Sequence, residues 1–242
     1  MTDNHDILII TPTYNEKDNL DSHISGVFSH LPESDMLIVD DASPDGTGDL
    51  AEKISQRDKR VRVMHRSGKL GLGTAYVAGF KKAVEEGYSK VFEMDADLSH
   101  DPQYLPDFIR ALEGGADIVL GSRSVEGGGV SGWGPLRHVI SKGGSIYSRL
   151  VLGMGVRDLT TGYKGIRTSV FEKLDLDLIE AQGFGFQVEF NYRAFLSGCS
   201  IVEVPIIFED RRAGESKMSG NIFFEAALLV MKLRMKHIRG KI

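Results

Sequence analysis

The chain has 242 residues, with 29 Lys and Arg against 34 Asp and Glu; the formal net charge of −5 argues against a general nucleic-acid binder. At 41% hydrophobic and 26% charged residues it has an ordinary globular composition, long enough for one large domain or two small ones. Its one cysteine, Cys199, rules out an intrachain disulfide, fits a reducing compartment and reads as a small buried residue.

The first half alternates between two periodicities. No basic leader precedes the apolar run "ILII" (7–10), so a signal peptide is not expected and the run reads as a buried strand. A helical stretch follows at 16–30, then a strand "MLIVD" (36–40), a Pro-Asp-Gly turn at 43–47 and a helix near 48–57. "VRVMH" (61–65) is a third strand, 73–87 is helical with Gly87 as its stop, and "KVFEMD" (90–95) is a fourth strand. Asp101-Pro102 is an N-cap and first-turn pair for a helix over 102–113, and "DIVLGSR" (117–123) is a fifth strand. This alternation predicts an α/β fold, a mostly parallel central sheet with helices on both faces and ligands at the carboxyl ends of the strands.

The second half is less regular. A Gly-rich loop spans 126–135, a helical stretch 136–152, and a helix 183–198 with Gly198 as its stop. "IVEVPIIFED" (201–210) is a strand whose Pro205 implies an edge position or a bulge. A polar loop at 211–220 precedes a last helix over 222–237 capped by Asn221, and no stretch approaches the roughly 18 apolar residues of a membrane span.

The polar residues collect where strands end, most notably in "VFEMDADLSHDP" (91–102). Residues i and i+2 of a strand share a face, so Asp95 and Asp97 converge on one point. Two such carboxylates repel unless a cation lies between them or one is protonated. A hard divalent ion, Mg²⁺ or Mn²⁺, resolves the conflict, and such an ion also binds phosphate oxygens, which makes a diphosphate the natural third partner. Glycosidase carboxylates flank a bond at least ~5 Å apart, so neighbours at one strand end suit chelation better. Glu93 shares the parity of the two aspartates and reads as structural or peripheral. Gly71-x-Gly73 is not a complete dinucleotide fingerprint, because position 76 is Tyr, and no P-loop pattern occurs; these glycines are expected to let a helix start pack close to a nucleotide.

"TPTYNE", "IVDDASPDGT", "KLGLGTAYVAGF", "MDADLSHDP", "GSR", "GWGPLR", "DLTTGYKG" and "VPIIFEDRRAGESK" occur in that order. Together they closely resemble dolichol-phosphate (polyprenol-phosphate) mannose synthases, inverting family-2 glycosyltransferases with the GT-A, Rossmann-like fold, from about residue 7 to about 220. The resemblance implies GDP-mannose as donor, a polyprenyl or dolichyl phosphate as acceptor and a β-linked polyprenyl-phospho-mannose as product. It implies that Pro12, Tyr14 and Glu16 hold the nucleotide, that Val39 and Asp41 line its base and ribose, and that Asp95, Ala96 and Asp97 span the diphosphate–metal site. Arg123 would face the reacting phosphates, Arg211 and Lys217 would reach in from the "GESK" loop, and Arg123 with Arg137 would clamp the acceptor phosphate. Asp97, Arg123 and Arg137 are the catalytic candidates. Many relatives carry Gln two positions after the second aspartate; here Ser99 stands there, a poorer metal ligand, so water is expected to complete the shell.

The chemistry agrees with the resemblance. An acceptor phosphate is already ionised near neutral pH and needs no general base; His65 is available, and His100 is expected at the helix start. What the reaction needs is charge control between two anions, which the metal and the basic set would supply. In the last helix Glu225, Lys232, Lys236 and Arg239 fall on one narrow face and the remainder is largely apolar. Residues 221–242 are therefore a candidate amphipathic unit beside a catalytic domain at 1–220, docking on a membrane surface or on a small transmembrane partner, with the enzyme peripheral on the cytoplasmic face. Transfer of another sugar to the same lipid is the near alternative. A nucleotidyltransferase, which would carry a Gly-rich, Lys-bearing loop where "TPTYNE" stands, and a noncatalytic nucleotide-sugar-binding subunit are the alternatives from other classes.

Overall fold

The structure, a computed structural model, describes residues 6–132, 134–181, 183–209, 220–240 and 242; at 135–140, 184 and 220–226 only the backbone is described. The elements are β1 (Ile7–Thr13), α1 (Lys17–His30), β2 (Asp35–Asp40), α2 (Thr47–Arg57), β3 (Val61–His65), α3 (Leu72–Glu86), β4 (Lys90–Glu93), α4 (Leu105–Glu113) and β5 (Ile118–Ser122). There follow β6 (Gly129–Ser131), α5 (Pro135–Leu152), β7 (Lys164–Arg167), α6 (Val170–Lys173), α7 (Phe184–Leu196), β8 (Ile201–Pro205), β9 (Ile207–Glu209) and α8 (Gly220–Ile238).

Among the described residues the main sheet has seven strands in the order β3-β2-β1-β4-β7-β5-β8, and β6 pairs with β9 apart from it. All pairings in the main sheet are parallel except those of β7, which runs antiparallel to β4 and β5. Helices cover both faces, so a continuous apolar run such as Leu8-Ile9-Ile10 is divided by the pleat. Leu8 and Ile10 pack with Tyr76, Phe80, Phe186 and Phe190 on one side, while Ile9 packs with Leu20, Val27, Phe92 and Phe108 on the other. Cys199 is buried, and burial pushes its thiol pKa up.

Several expectations change in detail. β1 runs on to Thr13, because Pro12 and Thr13 stay in register with Val39 and Asp40 of β2. β4 stops at Glu93, two residues short of Asp95. The helix expected over 102–113 begins as one turn of 3-10 helix, Pro102–Tyr104, with the Asp101 side chain accepting from the Gln103 amide at 2.9 Å. The Gly-rich loop contains β6, and the strand expected at 201–210 divides at the buried Ile206. Pro205 does lie at the end of an edge strand, β8. β7 and α6 were not foreseen, being too short to show a period. Asn221 is not the cap of α8, which already begins at Gly220. Gly87 does end α3, with φ +81°.

α8 packs in the core through Val230 and Leu233, while Leu228, Met231, Met235 and Ile238 are exposed. Lys232 and Lys236 turn toward Glu180 at 3.8 and 2.9 Å. Tyr147 of α5 ties the two helices by donating to the Ala227 carbonyl at 3.1 Å.

Candidate active site

A cleft of about 200 Å³ opens at the carboxyl ends of β1, β2 and β4. Pro12, Tyr14, Glu16, Asp41, Asp95, Ala96 and Asp97 all line it, which gathers seven of the residues singled out from sequence. Each is placed by a local device. Glu16 stands just before α1; its amide donates to Thr47 Oγ1 at 3.0 Å and its carboxylate accepts from Asn19 Nδ2 at 2.9 Å. Asp41 follows β2 directly, is ion-paired to Arg66 at 3.1 Å and accepts from the Leu70 amide at 3.1 Å. Asp40, its neighbour, points into the fold and accepts from Thr13 Oγ1 at 2.9 Å.

Both aspartates line the cleft, but strand parity does not place them. β4 has ended by Met94, and a turn follows in which Leu98 takes φ +63°. Asp97 Oδ1 accepts from the Ser99 amide at 3.0 Å, an Asx-type bond that closes this turn. Asp95 Oδ1 accepts from the buried Tyr76 hydroxyl at 2.9 Å, and the Asp95 amide donates to His100 Nδ1 at 3.1 Å. His100 therefore braces the Asp95 backbone, stacking 4.9 Å from the Tyr163 ring. His65 lies at the exposed end of β3, 2.9 Å from Glu52, and takes no part in the cleft.

Glu93 is fully buried and faces Lys164 across the β4–β7 ladder. The Lys164 ammonium lies 3.7 Å from Glu93 and also donates to Gln187, whose Nε2 donates to Glu93 at 2.8 Å. Burial pushes the Glu93 pKa up, with Asp95 adding to it and Lys164 opposing, and lowers that of Lys164 to about 8. Glu93 is thus an internal charge with its own cation, distinct from the two carboxylates that open on the cleft.

The other candidates lie away from this lining or outside the described residues. Val39 is buried in the core and is not part of the cleft lining. Arg123 also lies outside that lining: its Nε and Nη2 donate to the Asp158 carboxylate at 2.7 Å each, and Nη2 donates to Thr160 at 2.9 Å. Burial alone would raise the Asp158 pKa, yet the Arg123 fork holds it below the usual range. Gly73 makes its close approach to Phe186, where a Cβ would come within 2.7 Å, and Gly71 is the glycine on the cleft. Arg211 and Lys217 lie outside the described residues, and of Arg137 only its backbone, in α5, is described. The sequence reading missed Lys69, whose ammonium sits 4.1 Å over the Tyr14 ring at the cleft, and the support residues Tyr76 and Asp158.

The sequence matches the family described as Glycosyl transferase family 2 over residues 8–175. The chain belongs to that family. It is 48% identical over 226 residues to the undecaprenyl-phosphate mannosyltransferase of Micrococcus luteus, covering 93% of each chain. It is 46% identical over 236 residues to the polyprenol monophosphomannose synthase of Mycolicibacterium smegmatis, covering 97% of this chain and 88% of that one. Among solved structures, glucosyl-3-phosphoglycerate synthase from Mycobacterium tuberculosis superposes with a TM-score of 0.70 at 17% identity, over 95% of this chain and 80% of that one. The fold of this family-2 glycosyltransferase is therefore GT-A, with β7 as the antiparallel strand of the mostly parallel sheet.

No group of three His, Cys, Asp or Glu side chains able to hold a metal occurs among the described residues. The donor set still fits a hard divalent ion. Asp95 and Asp97 offer carboxylate oxygens on the cleft wall, and Mg²⁺-type ions bind through one or two carboxylates together with substrate phosphates. The buried Ser99 Oγ has no hydrogen-bond partner. It is suited to a bound water as much as to the ion itself.

Proposed function

We propose that this glycosyltransferase moves mannose from GDP-mannose to a polyprenyl phosphate, giving a β-linked polyprenyl-phospho-mannose. The observation that carries this is the near-full-length match to two enzymes named undecaprenyl-phosphate mannosyltransferase and polyprenol monophosphomannose synthase. The cleft supports it. Pro12, Tyr14, Glu16 and Asp41 would hold the nucleoside, and Asp95, Ala96 and Asp97 would face the diphosphate. A crystal structure of the glucosyl-3-phosphoglycerate synthase contains Mn²⁺ and UDP, which supports a divalent ion without choosing between Mg²⁺ and Mn²⁺. When bound, the ion supplies charge neutralisation of the leaving diphosphate.

The chain's own residues then have limited work. The acceptor phosphate is ionised at neutral pH, so no side chain has to remove a proton. An oxygen of that phosphate attacks the anomeric carbon on the face opposite the diphosphate; the new C–O bond forms as the old one breaks, and the configuration inverts. The Asp158-braced Arg123 presents a fixed positive group beside the sheet end. With Arg137, Arg211 and Lys217 it would offset repulsion between the two anions.

Among the described residues no helix is long and apolar enough to cross a membrane. The proposed route to a lipid acceptor is the side where Ile146 and Leu150 of α5 lie exposed, together with Leu228, Met231, Met235 and Ile238 of α8. That face would rest in the cytoplasmic interface of a membrane or against a small transmembrane partner, with residues 221–242 as the docking unit.

The test is transfer of labelled sugar to polyprenyl phosphate in detergent with Mg²⁺ or Mn²⁺, comparing GDP-mannose with UDP-glucose. Lipid-phase label from GDP-mannose alone is expected. Label from UDP-glucose alone would keep the chemistry and overturn the sugar.

A further inference from the structure

Asp95 is held by a side chain that no motif assigns. Tyr76 of α3 is fully buried, with its ring near-parallel to those of Phe80 and Phe186, 6.2 Å from each. The space for Phe186 exists because Gly73, one turn earlier on α3, has no Cβ; one built there would meet the Phe186 ring at 2.7 Å. The aromatic stack leaves the Tyr76 ring little room, and its hydroxyl reaches Asp95 Oδ1 at 2.9 Å. The other carboxylate oxygen faces Gly162, where a Cβ would stand 3.6 Å from Asp95 Oδ2. Behind, the Asp95 amide is fixed to His100. The Tyr76 hydroxyl thus holds the carboxylate, while His100 holds the backbone that carries it.

We propose that Tyr76 is a positioning residue: its hydroxyl fixes the Asp95 carboxylate in the orientation that receives the divalent ion and the donor diphosphate. The hydroxyl is suited to this because it donates. An ionised carboxylate only accepts, so at 2.9 Å from Asp95 Oδ1 the Tyr76 hydroxyl is the partner that supplies the hydrogen. Carboxylates that bind metals are themselves hydrogen-bonded, and loss of such a partner typically weakens metal binding about 10- to 100-fold. The inference rests on the reading of Asp95 as part of the donor–metal site.

The experiment is a titration of the full chain with Mn²⁺, followed by electron paramagnetic resonance, in the presence of GDP or UDP, whichever the wild type binds. Tyr76→Phe keeps the ring and its packing and removes only the hydroxyl. Tyr88→Phe is the matched control, since its hydroxyl bonds to Asp35 far from the cleft. For Tyr76→Phe the Mn²⁺ Kd is expected to rise about tenfold or more with the melting temperature little changed. The KM for metal should rise in step and kcat should return at saturating Mn²⁺, which a general loss of packing would not produce. Tyr88→Phe should leave the Kd unchanged. A Tyr76→Phe Kd within about twofold of wild type, with Asp95→Asn still losing the ion, would overturn the role of Tyr76 alone. Wild-type Mn²⁺ binding in Asp95→Asn would overturn the site reading and the inference with it.

Discussion

The cleft wall and the α5–α8 face meet their surroundings in opposite ways. At the cleft, charged groups come with partners: Asp41 has Arg66 and Asp95 has Tyr76, while behind it the buried Glu93 has Lys164 and Gln187. On α5 and α8, large apolar side chains stand in the open, with Leu150 of α5 at 77% exposure and Ile238 of α8 at 69%. On the proposed function, the first surface receives an anion that arrives with water and a cation. The second has apolar area that water does not favour, and α8 is tied to the core through its inner side, Val230 and Leu233. On the proposed function, the chain carries both a polar recognition wall and an apolar surface for a lipid, which suits an enzyme that joins a water-soluble sugar donor to a lipid acceptor.

The comparison breaks most severely if the cleft carboxylates are dispensable. Asp97→Ala is expected to lower transfer about a thousandfold, the equivalent of several kcal/mol of leaving-group stabilisation, with the fold retained by circular dichroism. Next is the internal charge. Lys164→Met leaves Glu93 buried without its cation and should cost about 3–5 kcal/mol in urea unfolding, while the double variant Lys164→Met with Glu93→Leu should recover much of that loss. A cost below about 1 kcal/mol for the single variant would mean that the pair does not hold β4 to β7.

A third test uses acid. His23 of α1 is buried and bonded to Thr11 Oγ1 at 2.9 Å. Burial, then the charge of His100, lowers its pKa from 6.5 to about 4, with Asp97 opposing. The folded form is thus the weaker base: the contribution of His23 is complete above pH 6.5 and is lost as the pH falls through about 4. Over that window the loss is roughly 3 kcal/mol, and His23→Gln should flatten this limb of the stability profile. The smallest effect on stability is expected on the other face. Leu150→Glu should change unfolding by no more than about 0.5 kcal/mol yet reduce binding to anionic vesicles about tenfold. Unchanged vesicle binding would remove the lipid-facing half of the comparison.

The first five strands and the helices between them were legible because each carries a full period and ends on a turn signal. β3 matches its expected span, 61–65, to the residue. The cleft was legible for the same reason, since residues following parallel strands come together at one sheet end. Asp95 and Asp97 both line the cleft, but β4 ends at Glu93, so strand parity is not what places them there. What stayed hidden depends on contacts distant in sequence. Asp158 meets Arg123 across 35 positions, and Tyr76 meets Asp95 across 19. No spacing rule joins such residues. Lys164 was visible inside "DLTTGYKG", but its partner Glu93 becomes evident only once β7 is seen to run antiparallel beside β4.

The most direct test of the account is the location of Mn²⁺ by anomalous diffraction in crystals grown with GDP-mannose or GDP. One strong peak is expected within direct coordination distance of a carboxylate oxygen of the Asp95–Ala96–Asp97 turn, shared with the nucleotide diphosphate. A nucleotide bound in the cleft with no peak at that turn, or a peak elsewhere on the chain, would contradict it.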